Sequence, residues 1–469
     1  MPWTRPTAGD RSAAAAYPAA MQAIADFIPP MPPPAPREPS AIGGLLRARR
    51  DVLSIFPRDA YRRQVFTTRL PGRLILVANA PQVVREVFVT RHEIYQRKSR
   101  FLEDALRPVV GGSCFIASGD DWAEKREAIS PPIHPSGLAQ FHPCYIQAAE
   151  TCAEGLARAE GPVDVAAAYA AAISHVLLLA MFGDTASADE ARIIAETFTA
   201  YQDAAEVVDL FGLMGLPDML GWLTRRRAKR LAAELRGRVA RLIDAAGPEG
   251  GTPLLKALRA AHRADGSPVL TGERLLDEVV MFLLAGAEGA AITLTWTTML
   301  AALHPPTAER MAAELPAAPP GHADLQGLAY TRAVVQESMR LYPPVAVFAR
   351  QATEPDRIRR WDIRKGDIVL AVPWLLHRHE ALWEAPNAFR PERFLGDAPR
   401  QRPRFAYMPF GVGPRICAGA AFGMAEVMVF AAILFRRFRF TLAPGFTPQP
   451  NCRLALRPRG GMRMLVAPR

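Results

Sequence analysis

Cysteine is scarce in this chain: five residues in 469, an odd number without close spacing. That scarcity excludes a disulfide-stapled secreted scaffold and fits free thiols in a reducing, cytoplasmic compartment. The first forty residues have no apolar core of a secretory leader, because Ala13 to Ala16 is short and Tyr17-Pro18 interrupts it. Charge-free runs of membrane-spanning length are missing as well. Val279 to Leu303 carries Glu288, and Ala166 to Phe182 carries His175. An unpaired carboxylate in mid-bilayer is costly, so both read as buried helices and no integral membrane span is expected. His134, His142, Cys144 and Cys152 lack a closed zinc spacing. No internal repeat is present.

What is there is globular in composition. Half the residues are hydrophobic and 22% are charged, with 33 Gly and 43 Pro. Lys and Arg number 57 against 46 Asp and Glu, a net charge of +11. Basicity alone would allow nucleic-acid binding, but no interleaved aromatics or binding motif accompany it, so none is expected. Residues 1–40 form a Pro/Ala-rich arm. Met21, Ile24, Phe27 and Ile28 have helical spacing, and the run Pro29-Pro30-Met31-Pro32-Pro33-Pro34 ends it. The arm is expected to be poorly ordered, or a peripheral contact with a membrane or partner. Residues 41–469 show no linker and read as a single domain, mainly α with a small β lobe.

Patterning supports that reading. Arg73 to Ala78 is a strand, and Pro81 to Thr90 a short helix opened by proline. Ala139 to Ala159, Asp164 to Phe182, Ala186 to Tyr201, Arg225 to Ala246 and Leu325 to Leu341 are helical. The longest helix is expected over Thr271 to Leu303, roughly 50 Å at helical rise, with Thr271 as N-cap and His304-Pro305-Pro306 as its stop. Val345 to Arg350 and Asp367 to Val372 read as strands. A glycine-rich loop, Phe410 to Gly419, leads into a helix over Ala420 to Phe438.

The loop Phe410-Gly-Val-Gly-Pro-Arg-Ile-Cys417-Ala-Gly419 is the most informative segment. A cysteine just before a helix N-terminus sits where free N–H groups and the macrodipole favour thiolate. Gly411, Gly413 and Gly419 permit a tight turn and close backbone approach to a flat ligand. Phe410 is placed to shield the sulfur, and Arg415 to meet an anionic group beside it. A thiolate held this way is a good axial ligand for haem iron.

Position by position, this segment resembles the haem-binding signature of the cytochrome P450 family. Further motifs carry the resemblance over residues 40 to 469. Glu337-Ser-Met-Arg340 resembles the family's Glu-x-x-Arg helix motif, whose spacing puts both charges on one face. Pro391-Glu-Arg393-Phe resembles the segment that adds a second Arg. The resemblance implies a structural Glu337–Arg340–Arg393 cluster bracing the loop. Trp122-Ala-Glu-Lys-Arg126 resembles the helix whose Trp and Arg contact a haem propionate, and Arg350 matches another propionate-binding Arg. His377-Arg-His379 falls in a loop where the family often has His, and no metal role is read into it.

The resemblance implies haem b with Cys417 as axial thiolate, held between the longest helix and the cysteine loop. It implies a monooxygenase that inserts one oxygen atom from O2 into an apolar organic substrate, since a thiolate ligand favours O–O cleavage. With no flavin or iron–sulfur signature, electrons would come from a separate ferredoxin or flavodoxin with its reductase. Lys98, Arg100, Arg402, Arg404 and Arg415 are expected to present a basic docking face, or simply part of a basic surface. Phe101 to Ala117 and Phe198 to Leu223 match the family's substrate-covering regions. The second is rich in Leu210, Phe211, Leu213, Met214, Leu216, Met219, Leu220 and Trp222, which suits a hydrophobic, lipid-like or terpenoid substrate.

One departure bears on catalysis. In Ala285-Gly286-Ala287-Glu288-Gly289-Ala290 the acid Glu288 is kept, but Gly289 stands where the family usually has Thr. Glu288, Gly289 and Thr293 are the candidate catalytic positions, with Glu288 either on the proton path or merely salt-bridged. A substrate hydroxyl or ordered water replaces the missing group, Thr293 one turn on replaces it, or the enzyme runs variant chemistry. Such chemistry would be peroxide-driven oxidation, desaturation or C–C cleavage. A haem-thiolate sensor without turnover would keep the same motifs.

Overall fold

A computed structural model describes residues 27–70, 72–205 and 222–469. Helices surround one that is almost entirely buried, Glu273–Leu303, 31 residues long. Its start differs from the expected Thr271 N-cap. Gly272 takes a positive φ of 50°, which turns the chain one residue later, and the helix begins at Glu273. His304 ends it, and Pro305 opens a new helix, Pro305–Glu314, instead of only stopping the old one.

The helix Val165–Phe182 is apolar on all sides and lies buried against the long helix, with Asp164 accepting from the Ala166 and Ala167 N–H groups at its start. Helices His142–Ala157, Ala188–Ala204 and Ala420–Arg437 complete the packing around this pair. Val165–Phe182 and Glu273–Leu303 are long and apolar enough to cross a membrane, yet most of each is buried inside the fold.

The β lobe is a five-stranded sheet in the spatial order Val65–Leu70, Arg73–Ala78, Ile368–Ala371, Phe348–Gln351, Arg97–Lys98. Arg73–Ala78 runs parallel to Ile368–Ala371, and the other neighbours are antiparallel. The last pairing sets Lys98 opposite Arg350, bringing two cations to one sheet edge. The expected strand at Val345 starts at Phe348 instead, three residues further on. The expected helix at Leu325 starts at Ala329, where the Glu314 carboxylate accepts from the Tyr330 and Thr331 N–H groups, each at 2.7 Å. That cap comes from another helix and has no local sequence signal.

Part of residues 27–40, assigned to the arm by composition, is packed, with Pro29 and Ala35 buried. Phe27 stacks on His304 and meets Phe389 edge-on, the Phe389 N–H donates to the Phe27 carbonyl, and the Tyr342 hydroxyl donates to the Pro30 carbonyl at 2.6 Å. Residues 1–26 lie outside the described residues.

Candidate cofactor site

The cysteine loop folds back on itself. The Cys417 N–H donates to the Phe410 carbonyl at 2.9 Å and the Ile416 N–H to Gly413 at 3.0 Å. Gly411 and Gly413 both have φ of 75°, the left-handed region expected for a tight turn. A Cβ on Gly413 would lie 2.0 Å from the Phe88 carbonyl oxygen, so this glycine lets the loop press on the segment that follows Pro81–Arg85. Gly419 differs from expectation: its φ is −87° and a Cβ there would meet open space, so no turn requires glycine. Phe410 is half-buried against the main core.

Cys417 keeps accessible surface, yet its surroundings are dense enough for burial to push its thiol above the ordinary value. The Gly419 N–H, Arg126 and Lys98 pull in the opposite direction. Burial outweighs them. Midway along the buried long helix, Ala285 and Gly286 are also exposed.

Cations gather on one side. Arg415 stacks on Trp122 at 4.5 Å and donates to the Ala117 carbonyl at 2.6 Å, but its buried Nε has no partner among the described residues. Arg126, one turn after Trp122 in the helix Gly119–Ile129, makes no ion pair among the described residues. Arg350 is buried, and among the described residues its guanidinium donates only to the carbonyl of its neighbour Ala349. Lys98 is 9% exposed, and its ammonium lies 3.1 Å from the Phe115 ring centroid. Burial, and then the charge of Arg415, push Arg350 down to about 9; burial pushes Arg415 down to about 10. Lys98 is held well below its usual value by burial, Arg350 and Arg415.

Lys98, Arg350 and Arg415, desolvated and without a carboxylate ion pair among the described residues, are costly by themselves. A flat group with two carboxylates fits them, as haem's propionates would. Sequence reasoning placed Lys98 and Arg415 on a docking face. The structure corrects both, and Arg402 too, which is half-buried over Trp383 and Phe394 at 4.3 and 4.5 Å. Arg100 and Arg404 are exposed. The signal for Lys98 was available only as its place in a strand opposite Arg350.

Below the loop, Glu337 and Arg340 form a bidentate pair with two contacts of 2.7 Å, both side chains fully buried. Arg340 also donates to the carbonyls of His377, Pro386 and Ala388. Arg393 Nε lies 3.5 Å from Glu337, an ion-pair distance without hydrogen-bond geometry. His377 is buried and accepts from the Met408 N–H at 2.9 Å, which ties it to the base of the loop. The short helix Pro373–Leu376 precedes it, and His377-Arg-His379 lies in the turn that follows, in keeping with the expected loop.

On the long helix, Glu288 accepts from Arg457 at 2.8 Å and Gln202 at 2.6 Å. A Cβ on Gly289 would meet nothing within 4 Å, whereas one on Gly286 would lie 2.8 Å from Leu177 Cδ1. The buried Thr293 hydroxyl donates to the Gly289 carbonyl at 2.8 Å. Residues 206–221, including most of the second covering region, lie outside the described residues.

A mainly helical fold that sets an accessible thiol after a glycine turn, near a cluster of buried cations, suits a flat, dianionic cofactor held through cysteine. The family model for Cytochrome P450 matches residues 32–464, and the chain belongs to that family. Cyclooctatin synthase of Streptomyces melanosporofaciens is 29% identical over 92% of this chain and 94% of its own length. Cyclooctat-9-en-7-ol 5-monooxygenase of the same organism is 30% identical over 80% and 82%. The crystal structure of cytochrome P450DA heme domain matches the fold with a TM-score of 0.80 at 22% identity, covering 94% of this chain and 98% of that one. The chain is thus a monooxygenase, an oxidoreductase whose cofactor is haem b on an axial cysteine. The family uses redox partners, O2 and hydrophobic substrates.

Proposed function

We propose that Cys417 is the axial ligand and that Trp122, Arg126, Arg350, Arg415 and Lys98 hold the propionates. The single observation carrying this reading is the cluster of buried cations, Lys98, Arg350 and Arg415, near the accessible Cys417 thiol. When bound, thiolate-ligated haem supplies the oxygen activation and insertion chemistry. The chain's own residues hold it, keep water from the sulfur with Phe410, and handle protons at Glu288.

The substrate is an apolar molecule that carries a hydroxyl, or that leaves room for an ordered water, where the family's Thr is replaced by Gly289. Open space at Gly289 supports this reading. So does the second relative, whose name gives an unsaturated alcohol as its substrate. Thr293 is a poor substitute because its O–H is committed to a carbonyl. Electrons come from a separate acidic ferredoxin or flavodoxin, with Arg100 and Arg404 among the exposed cations available to it; turnover is expected to fall steeply with added salt at an unchanged haem spectrum.

Ferrous–CO spectroscopy tests the central reading. Wild type should show the thiolate-ligated band and Cys417→Ser should lose it. A thiolate band that survives in Cys417→Ser would overturn the assignment. Reductant consumed per product separates the chemistries: tight coupling that Gly289→Thr does not improve supports the hydroxyl-or-water reading. Absence of any product from a broad substrate panel with reconstituted reductant would favour a sensor.

A further inference from the structure

We infer that Arg457 and Gln202 are positioning residues for Glu288. Together they anchor one oxygen of its carboxylate and leave the other free to exchange a proton. The inference rests on the proton-handling reading of Glu288 above. Both donors land on Oε1, Arg457 Nη2 at 2.8 Å and Gln202 Nε2 at 2.6 Å. Among the described residues Oε2 accepts no hydrogen bond, and the side chain keeps 18% exposure. The same protein shows what a purely structural pair looks like: Glu337 and Arg340 are bidentate, saturated and fully buried. Glu288 is held differently, fixed at one oxygen and open at the other.

The anchors are themselves firmly placed. Arg457 lies in the strand Leu456–Pro458, paired with Pro450–Cys452 in a short hairpin. Its neighbour Leu456 donates to the Pro344 carbonyl and accepts from the Trp296 indole, both at 3.0 Å. Arg453, in the turn of that hairpin, donates to the carbonyls of Asp203 and Ala205 at the end of the helix Ala188–Ala204, which also carries Gln202. Three elements therefore converge on one carboxylate. Gln202 makes its bond to Glu288 although, among the described residues, its own buried Oε1 has no donor, a desolvation cost that an apolar side chain would avoid. The geometry sets its amide N–H on the carboxylate.

The test uses the haem-loaded protein with Arg457→Gln, Arg457→Lys, Gln202→Leu, Glu288→Gln and the Arg457→Gln/Glu288→Gln double variant. The first readout needs no turnover: stopped-flow association and release of 4-phenylimidazole. Loss of a charge-assisted anchor should speed release about tenfold in Arg457→Gln and Glu288→Gln, with no further gain in the double variant. Arg457→Lys should retain most of the wild-type rate. The second readout is the solvent isotope effect on product formation, which should rise in Arg457→Gln and Gln202→Leu as it does in Glu288→Gln. Additive effects in the double variant would overturn the inference. So would a wild-type isotope effect in Arg457→Gln and Gln202→Leu while Glu288→Gln alone raises it; Glu288 would then handle protons without these anchors. A wild-type isotope effect in Glu288→Gln as well would instead overturn the proton-handling reading beneath it. The two failures are thus distinguishable.

Discussion

Gly286 and Gly289 sit one turn apart in the long helix, and their backbones are glycine for different reasons. At Gly286 a methyl group would press on Leu177 of the helix Val165–Phe182, so glycine sets how closely the two helices pack. At Gly289 nothing stands in the way. Gly286→Ala should therefore lower stability by about 1–2 kcal/mol, overpacking outweighing the gain in helix propensity. Gly289→Ala should raise it by about 0.5–1 kcal/mol. Urea midpoints of the two variants should move in opposite directions; a shared sign would mean that neighbouring contacts do not decide. A second single-residue effect lies at Glu278, fully buried, accepting from the Cys114 N–H at 2.7 Å and with Oε2 unpartnered among the described residues. Burial pushes its carboxyl up to about 7. The folded state then holds a proton that the unfolded state has lost above about pH 4.3. Stability contributed by neutral Glu278 is full below that pH and is lost as pH rises to about 7, on the order of 3 kcal/mol. Glu278→Gln should flatten the pH dependence of the urea midpoint across that window and be the more stable protein at pH 8.

At the scale of elements, the cluster under the haem loop shows which motif contacts are worth most. Arg340 is saturated by five hydrogen bonds and has no exposure, whereas Arg393 reaches the same Glu337 only at 3.5 Å. Arg340→Ala should cost about 3–5 kcal/mol by stranding a buried carboxylate, and it should impair haem uptake. Arg393→Ala should cost about 1 kcal/mol or a little more, mainly through its bond to the Ala385 carbonyl. Equal losses in chemical denaturation would contradict this ranking. These residues were legible in the sequence because the chemistry is local: Glu337 and Arg340 share one helix face, and the turn at Gly411 and Gly413 is written in consecutive residues. Caps and anchors supplied from a distance were not legible. Glu314 starting the helix Ala329–Leu341, and Arg457 reaching Glu288 across 169 positions, arise only when the chain is folded.

At the scale of the whole molecule, the fold is arranged around charges it cannot satisfy alone. Basic residues that composition assigned to the surface include three turned inward. Lys98 shows why the sequence misleads here: nothing in Arg97-Lys98-Ser99 distinguishes a surface lysine from a buried one, and only the pairing of that strand with Phe348–Gln351 buries it. Its ammonium then shares a desolvated space with Arg350 and Arg415. A dianionic cofactor offsets that repulsion, so cofactor and fold are linked: whatever binds only the folded state stabilises it. Lys98→Met keeps the packing on Phe115 while removing one buried charge. The haem-free form of this variant should unfold at higher urea than haem-free wild type, because an uncompensated cation has gone. The haem-loaded form should release haem to an acceptor apoprotein faster, because one propionate partner has gone with it. The gap in stability between loaded and empty protein should therefore narrow from both sides. A surface lysine would move neither quantity, and a lysine that only packs would lower both, so opposite signs are the result that identifies Lys98 as part of the cofactor's charge cradle.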